Sequence, residues 1–227
     1  MHLAILVLLL LALVFGPGLW VQHVMRRYSE PADRYPGTGA ELVRHLAGEL
    51  DLPGLRVEQT ELGDHYDPEE KVVRLTPDKY NGRSLTAITV AAHEVGHALQ
   101  DREGYGPLRW RSRLVKSMRG AERLGAALLM ASPFLGLLTR APSAGLLLFA
   151  GGLLTLGSST LVHLVTLPTE FDASFGRALP VLERANILKR VDRPHARRLL
   201  TAAAFTYVAA SLMSLLNIAR WWALIRR

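Results

Sequence analysis

The chain carries the sequence His-Glu-Val-Gly-His at residues 93–97, and this motif constrains the fold more than any other feature. Apolar residues recur around it at intervals of three and four, which predicts a helix with one buried face. They are Leu85, Ile88, Ala92, Val95 and Leu99. Because His93 and His97 are four residues apart, such a helix presents both imidazoles on the same side. Two imidazoles at this spacing can hold one Zn²⁺ ion, about 2.0–2.1 Å from each nitrogen.

Glu94 follows His93 directly, so its side chain is rotated by about 100° around the helix. This direction makes Glu94 a poor third ligand but places its carboxylate beside the open position of the metal, where a bound water has a pKa lowered towards about 7. The residues around the motif are small, as expected where a second element packs closely: Ala91, Ala92, Gly96 and Ala98. A solvated helix face, the alternative, would carry more Lys and Glu. We therefore predict that Glu94 is the general base of a hydrolase.

Four long segments of the chain contain no charged residue: Leu3–Val21, Leu124–Thr139, Ala141–Thr169 and Leu199–Ala219. A helix needs about 20 mostly apolar residues to cross a bilayer. The first segment has no basic region before it and no small-residue cleavage site, which favours a retained anchor over a removable signal peptide. Buried core helices are the alternative, although a globular core of this size rarely uses such long charge-free runs. The sequence therefore predicts about four transmembrane helices.

The chain has a net charge of +7, which can indicate nucleic-acid binding or the orientation of a membrane protein. Of its 27 Lys and Arg residues, sixteen lie between residues 22 and 123 and seven between residues 168 and 200. The positive-inside rule places these two regions on the cytoplasmic side of a membrane. The basic stretch at residues 109–119 precedes an apolar segment and is better explained as an anchor to anionic lipid than as a nucleic-acid site. We predict a lipid bilayer, and no nucleic acid, as a partner.

Two segments have the composition of strands, Leu55–Leu62 and Lys71–Leu75, and the residues between them predict a turn at 67–70. We expect a small β-ribbon with His65 and Tyr66 near its tip. These tip residues serve either the turn itself or an edge that receives an extended substrate by strand addition. The sequence alone favours neither role.

A zinc site needs a third protein ligand on the same side of the membrane as the two histidines. The chain has no cysteine, so that ligand must be His or a carboxylate. Glu170 and Asp172 both qualify, in the first turn of a helix that follows Pro168. Acidic residues at this place also suit the helix dipole, which is the purely structural explanation.

Several segments together resemble the YugP-type bacterial membrane zinc metallopeptidases. The resemblance covers nearly the whole chain and includes residues 64–68, 73–75, 81–84, 91–100 and 167–174. It implies a neutral zinc peptidase of the gluzincin kind in which His93, His97 and Glu170 bind the metal. More distantly the chain is similar to HtpX-like membrane proteases, whose third-ligand helix reads E-x-x-A-D. Here Ser174 stands where that Asp would be, which leaves Asp172 or another group to orient a zinc histidine.

These observations predict a mainly α membrane protein, with about four transmembrane helices and a small α+β zincin-like catalytic domain that contains a β-ribbon and the H-E-x-x-H helix. The predicted order is an N-terminal transmembrane helix (1–22), the catalytic region (23–120), a transmembrane hairpin (121–167), the third-ligand helix with a connecting segment (168–200), and a C-terminal transmembrane helix with an interfacial tail (201–227). We expect the protein in the bacterial inner (plasma) membrane, with its active site on the cytoplasmic face.

The predicted function is that of a membrane-embedded zinc metalloendopeptidase with one Zn²⁺ per chain, which hydrolyses peptide bonds with a zinc-activated water and Glu94 as general base. A further donor must stabilise the oxyanion, and Arg177, His65 and Tyr66 are the candidates. A metal-binding but non-cleaving membrane scaffold or adaptor is the alternative, against which the intact Glu94 argues. Protein or peptide substrates follow from the function, while a membrane partner subunit or a homo-oligomer is left open by the sequence.

Overall fold

The computed structural model describes residues 2–138, 143, 146, 149–151, 165–206 and 208–209. Residues 165–171 and 193–206 are also helical, and residues 172–178 form a π-helix, in which each N–H bonds to the carbonyl five residues back. The named elements are α1 (His2–Arg27), α2 (Gly39–Glu49), β1 (Arg56–Gln59), β2 (His65–Asp67), β3 (Val72–Leu75), α3 (Pro77–Tyr80), α4 (Leu85–Arg102), α5 (Gly106–Leu138), the π-helix (Asp172–Ala178), α6 (Leu179–Arg184) and the 3₁₀-helix (Arg190–Asp192).

The chain divides into two compact units. One unit, called the site unit below, comprises Gly18–Arg109 and Leu167–Thr206. It contains the end of α1, all three strands, α2 to α4 and the third-ligand segment, which we define as residues 167–184. The described residues of the other unit come from 1–17, 110–166 and 207–227, and they include most of α5.

The predicted set of about four transmembrane helices is wrong for the described part of the chain, where no helix combines the length and apolar character needed to span a bilayer. Two of the charge-free runs instead contribute residues to a protein core. Val21, the last residue of the first run, and Leu199 and Leu200, at the start of the fourth, are buried in the core of the site unit. Of the predicted hairpin at 121–167, the residues from 139 to 164 lie outside the described part of the chain except 143, 146 and 149–151, as do residues 210–227 of the predicted C-terminal segment.

Two helices of the site unit begin at side-chain caps. Thr38 accepts a hydrogen bond from the backbone N–H of Glu41, and the Glu41 carboxylate accepts one from the backbone N–H of Thr38, which completes a capping box. Ser84 caps α4 by accepting a hydrogen bond from the backbone N–H of Ala87. The helix starts were predictable because each cap satisfies backbone donors that the helix itself leaves unpaired.

The three strands form one sheet in the order β1-β3-β2. β3 pairs in parallel with β1 and antiparallel with β2, so the predicted ribbon between residues 55–62 and 71–75 is wrong in its pairing direction. The turn before β3 is the predicted one, because Asp67 Oδ1 accepts hydrogen bonds from the backbone N–H groups of Glu69 and Glu70. The chain makes its hairpin between β2 and β3, and β1 reaches the other edge of β3.

Helix α4 lies at the centre of the site unit and is buried on all sides from Leu85 to Gln100, not on one face as the apolar spacing predicts. The third-ligand segment, α2 and the sheet all pack against it. The predicted close approach of a second element is confirmed at Gly96, where an added Cβ would lie 2.5 Å from the carbonyl oxygen of Ala173. Gly96 therefore lets the third-ligand segment lie directly on the motif helix.

Candidate metal centre

His93, His97 and Glu170 converge in the site unit. The Nε2 atoms of His93 and His97 each lie 3.3 Å from Glu170 Oε2, and all three ligand atoms lie within 4.8 Å of one another. The two imidazoles come from successive turns of α4, and Glu170 comes from the segment that crosses α4 at Gly96. All three side chains are buried. A His-His-carboxylate set of this kind could hold a metal ion.

Two of the three spacings in this set match those of a zinc site. Four ligands placed tetrahedrally at about 2.0–2.1 Å from Zn²⁺ lie about 3.3–3.4 Å from one another. Both distances from Glu170 Oε2 to the imidazole nitrogens have this length. The donor set of two imidazoles and one carboxylate is also one that catalytic zinc sites use, with a fourth position left for water or substrate.

The second nitrogen of each imidazole has its own partner. His97 Nδ1 lies 2.9 Å from Gln100 Oε1, and His93 Nδ1 lies 3.0 Å from the hydroxyl oxygen of Ser174. Such contacts orient the rings of metal-binding histidines and increase their basicity. Ser174 therefore contacts one of the two motif histidines, His93, directly.

Asp172 lies beside this set and not within it. Its Oδ2 accepts hydrogen bonds from Gln100 Nε2 at 2.7 Å and from Arg177 Nε at 2.8 Å. Arg177 also donates to Glu103 Oε2 at 2.6 Å and lies over the ring of Tyr105. The structure thus connects Asp172 to His97 through Gln100, and its assignment as a supporting residue stays a prediction.

Glu94 is buried, with 6% of its surface exposed. Burial raises the pKa of its carboxyl group; His93 and His97 oppose that shift, and the negative charges of Glu170 and Asp64 add to it. A carboxylate whose pKa is raised in this way accepts a proton more readily than an exposed one. The environment of Glu94 thus suits the predicted role of general base.

The remaining candidates for an oxyanion donor have partners elsewhere in the site unit. His65 Nδ1 lies 2.8 Å from the carbonyl oxygen of Gly63, and the Tyr66 hydroxyl donates to Asp101 Oδ2 at 2.8 Å. Burial, together with the negative charge of Asp101, raises the pKa of Tyr66, so this phenol stays protonated. The choice among His65, Tyr66 and Arg177 stays a prediction.

Sequence reasoning missed two residues that contact the histidines, Gln100 and Ser174. Gln100 follows His97 by three residues, a spacing that brings two helical side chains together. That signal was available, but an amide is a less familiar partner of a zinc histidine than a carboxylate. For Ser174 the signal was its position four residues after Glu170, but the contact with His93 depends on the packing of two segments that are distant in the sequence.

An H-E-x-x-H helix that meets a carboxylate from a second helix is typical of zinc metallopeptidases. The family model described as "Putative neutral zinc metallopeptidase" matches residues 3–226, and the chain belongs to this family. A protein of Bacillus subtilis (strain 168) named "Putative membrane protease YugP" is 36% identical to the chain over 213 residues, which cover 91% of this chain and 90% of that protein. The resemblance noted from the sequence motifs is therefore confirmed. No solved structure matches the chain.

Proposed function

We propose that this protein is a zinc endopeptidase that hydrolyses peptide bonds in protein or peptide substrates, with one Zn²⁺ held by His93, His97 and Glu170. The observation that carries the proposal is that the Nε2 atoms of His93 and His97 each lie 3.3 Å from Glu170 Oε2 in a buried site. The buried Glu94 lies on the same helix as the two histidines. Family membership supports the same reaction class.

The chain supplies the proton transfers of this reaction through Glu94. Zinc, when bound, would polarise the scissile carbonyl and lower the pKa of the attacking water. The Glu94 carboxylate takes a proton from that water and then delivers it to the leaving nitrogen, a task for which its raised pKa is suited. Because Glu94 is buried, a substrate that covers the site leaves little other water to exchange protons with the carboxylate.

The test separates metal binding from hydrolysis. Glu94→Gln is expected to keep about one zinc per chain and to lose peptide hydrolysis, measured by metal analysis and by cleavage of a quenched fluorescent peptide library. His45→Ala is the matched control, since His45 is an exposed histidine on α2. A Glu94→Gln protein that cleaves like the wild type would refute Glu94 as the base, and one that loses zinc would overturn the division of roles. A wild-type protein that binds zinc and cleaves no peptide would instead favour the scaffold alternative.

We also propose that the protein acts at the bacterial plasma membrane, with its site on the cytoplasmic side. The name of the Bacillus relative includes a membrane location. Anionic lipids of the cytoplasmic leaflet attract basic residues, of which this chain has a large excess. Membrane fractionation tests the location, and a reporter inserted at Gly37–Gly39 tests the side. Reporter activity outside the cytoplasm would reverse the assignment.

A further inference from the structure

We propose that the site unit contacts anionic lipid through one continuous surface, which combines an apolar patch with a band of arginines. The inference rests on the membrane location proposed above and names the surface that meets the lipid. It concerns the face of the bilayer and does not require a helix to cross it. The apolar patch consists of Leu19, Trp20, Phe171, Phe175 and Phe205, and the arginine band consists of Arg26, Arg27, Arg197 and Arg198.

The apolar patch is continuous because its aromatic rings contact one another. The ring centroid of Phe205 lies 6.1 Å from that of Trp20 and 6.0 Å from that of Phe171. The ring centroid of Phe171 lies 5.7 Å from that of Phe175. The patch is also open to solvent, since Phe171 is 36% exposed and Leu19 is 62% exposed. Single exposed apolar residues are common, but a contiguous apolar patch indicates an interaction surface.

The arginine band lies at the same distance from the patch on both helices. On α1, Arg27 follows Trp20 by seven residues, which is about two turns and about 10 Å along the same side of the helix. In the helix at residues 193–206, Arg198 precedes Phe205 by the same interval. The four arginines of the band are all exposed. Each helix therefore passes from arginine to apolar side chains along one side.

Two contacts align these helices with each other. Trp20 meets Phe205 at one end of the pair, and the Tyr28 hydroxyl lies 3.0 Å from His195 Nδ1 at the other end. The two helices are therefore antiparallel. Their apolar side chains lie together at one end, and their arginines lie together towards the other.

An anionic bilayer accounts for both parts of this surface. Aromatic and aliphatic side chains enter the boundary between headgroups and acyl chains by about 5–10 Å, so arginines about 10 Å away lie level with the lipid phosphates. Residues 18–27 and 193–206 contain no Asp or Glu, and among the described residues no carboxylate pairs with an arginine of the band. A second copy of this surface would bring more arginines and no carboxylate. Charge complementarity therefore favours anionic lipid over self-association.

The surface extends to the candidate metal site. Phe171 directly follows Glu170, and both Phe171 and Phe175 belong to the third-ligand segment. The Glu170 side chain is buried, while the ring of Phe171 is part of the exposed patch. The proposed lipid contact thus lies one residue from a ligand of the proposed zinc site.

The first test measures lipid contact at single sites. The chain has no cysteine, so Leu19→Cys and Phe171→Cys each provide one position for a nitroxide label in the full-length protein. In vesicles of phosphatidylethanolamine and phosphatidylglycerol, both labels should collide more with lipid-soluble oxygen than with a water-soluble nickel chelate. Glu49→Cys is the matched control, because Glu49 is exposed on α2, and its label should show the reverse order.

The second test concerns the arginine band. Replacing Arg197→Gln together with Arg198→Gln should weaken binding to phosphatidylglycerol vesicles about 25-fold, since each basic residue near an anionic surface contributes about 5-fold. Vesicle flotation measures the bound fraction. Arg44→Gln together with Lys71→Gln removes the same charge from exposed positions elsewhere in the site unit and should weaken binding far less. Vesicles of phosphatidylcholine alone should not distinguish the two double variants.

Labels at Leu19 and Phe171 that the nickel chelate reaches as readily as the label at Glu49 would overturn the proposal. Labels that are shielded from both reagents would also overturn it, because protein and not lipid would then cover the patch. Equal losses in the two double variants would remove the arginine band from the surface. If Phe171→Cys fails to fold by circular dichroism, the label at Leu19 decides the matter.

These outcomes are separate from those that test the proposed function and location. Both measurements are made without substrate, so a protein that contacts lipid and cleaves nothing would refute the peptidase and leave this surface intact. Cell fractionation that finds the protein away from membranes, with both labels still in lipid in vesicles, would refute the location alone.

Discussion

The site unit contains two buried polar clusters that differ in the groups they bring together. In the first, called the matched cluster below, the Asp192 carboxylate accepts hydrogen bonds from the guanidinium of Arg34 and from the Tyr35 hydroxyl, at 2.7 Å for Arg34 Nε and 2.7 Å for Tyr35. In the second, the candidate metal site, the Nε2 atoms of His93 and His97 each lie 3.3 Å from Glu170 Oε2. The matched cluster pairs a cation with an anion of the same chain, whereas the second cluster is a donor set that could hold a metal ion.

The largest effect is expected when the candidate metal site loses a ligand. His93→Ala or His97→Ala should abolish zinc binding, because two remaining ligands cannot complete a tetrahedral site. Metal analysis after dialysis against a weak chelator measures the loss. Retention of one zinc per chain by either variant would place the metal elsewhere, and His45→Ala is again the control.

The next expectation separates the two carboxylates of the third-ligand segment. Glu170→Ala should weaken zinc binding far more than Asp172→Ala, since Glu170 faces both imidazoles and Asp172 contacts Gln100. We expect a loss of about 10–100-fold for Asp172→Ala, as is typical of outer partners. Competition titrations on both proteins compare the affinities, and the reverse order would show that the wrong carboxylate is assigned.

A third expectation concerns the matched cluster. Asp192→Ala should lower the free energy of unfolding by about 3 kcal/mol, the usual cost of breaking a buried ion pair, while zinc affinity stays unchanged. Urea denaturation measures the first quantity. Asp33→Ala is the control because Asp33 is exposed nearby, and its effect should stay within about 0.5 kcal/mol. A loss of zinc in Asp192→Ala would show that the two clusters are coupled.

The smallest effect is a pH dependence confined to the matched cluster. Burial of Asp192 opposes ionisation, but the hydrogen bonds from Arg34 and Tyr35 outweigh it and lower the pKa of this carboxyl group. A lowered folded-state pKa stabilises the protein above the unfolded pKa of about 3.9, and the contribution disappears as the pH falls through the folded value. The stability difference between wild type and Asp192→Asn should therefore shrink below about pH 4. A difference that grows on acidification would contradict this assignment.

The sequence was most informative where local chemistry decides the structure. The caps at Thr38 and Ser84 and the shared face of His93 and His97 follow from helix geometry alone. The Arg34–Asp192 pair could not be predicted in this way, because it joins residues that are 158 positions apart. Nor could the pairing of strands that are only three or four residues long.

The transmembrane prediction shows a different limit. A charge-free apolar run has the same composition whether protein or lipid surrounds it, and Val21 and Leu199 are buried in the protein core. The sequence also could not decide which of Glu170 and Asp172 is the third ligand. From the residues alone both remained open, and a family resemblance was needed to favour Glu170. The π-helix that begins at Asp172 has no sequence signal comparable to the helix caps.

That π-helix has a consequence for how the protein can evolve. It brings Arg177 beside Asp172, five positions earlier, and Gly176 leaves room for the Asp172 carboxylate, which an added Cβ would approach to 2.7 Å. Removing one residue here would restore α-helical spacing and rotate everything beyond it by about 100°. Substitutions leave the direction of the following helix intact, whereas a deletion does not. Relatives of this chain are therefore expected to keep the number of residues between Glu170 and Leu179.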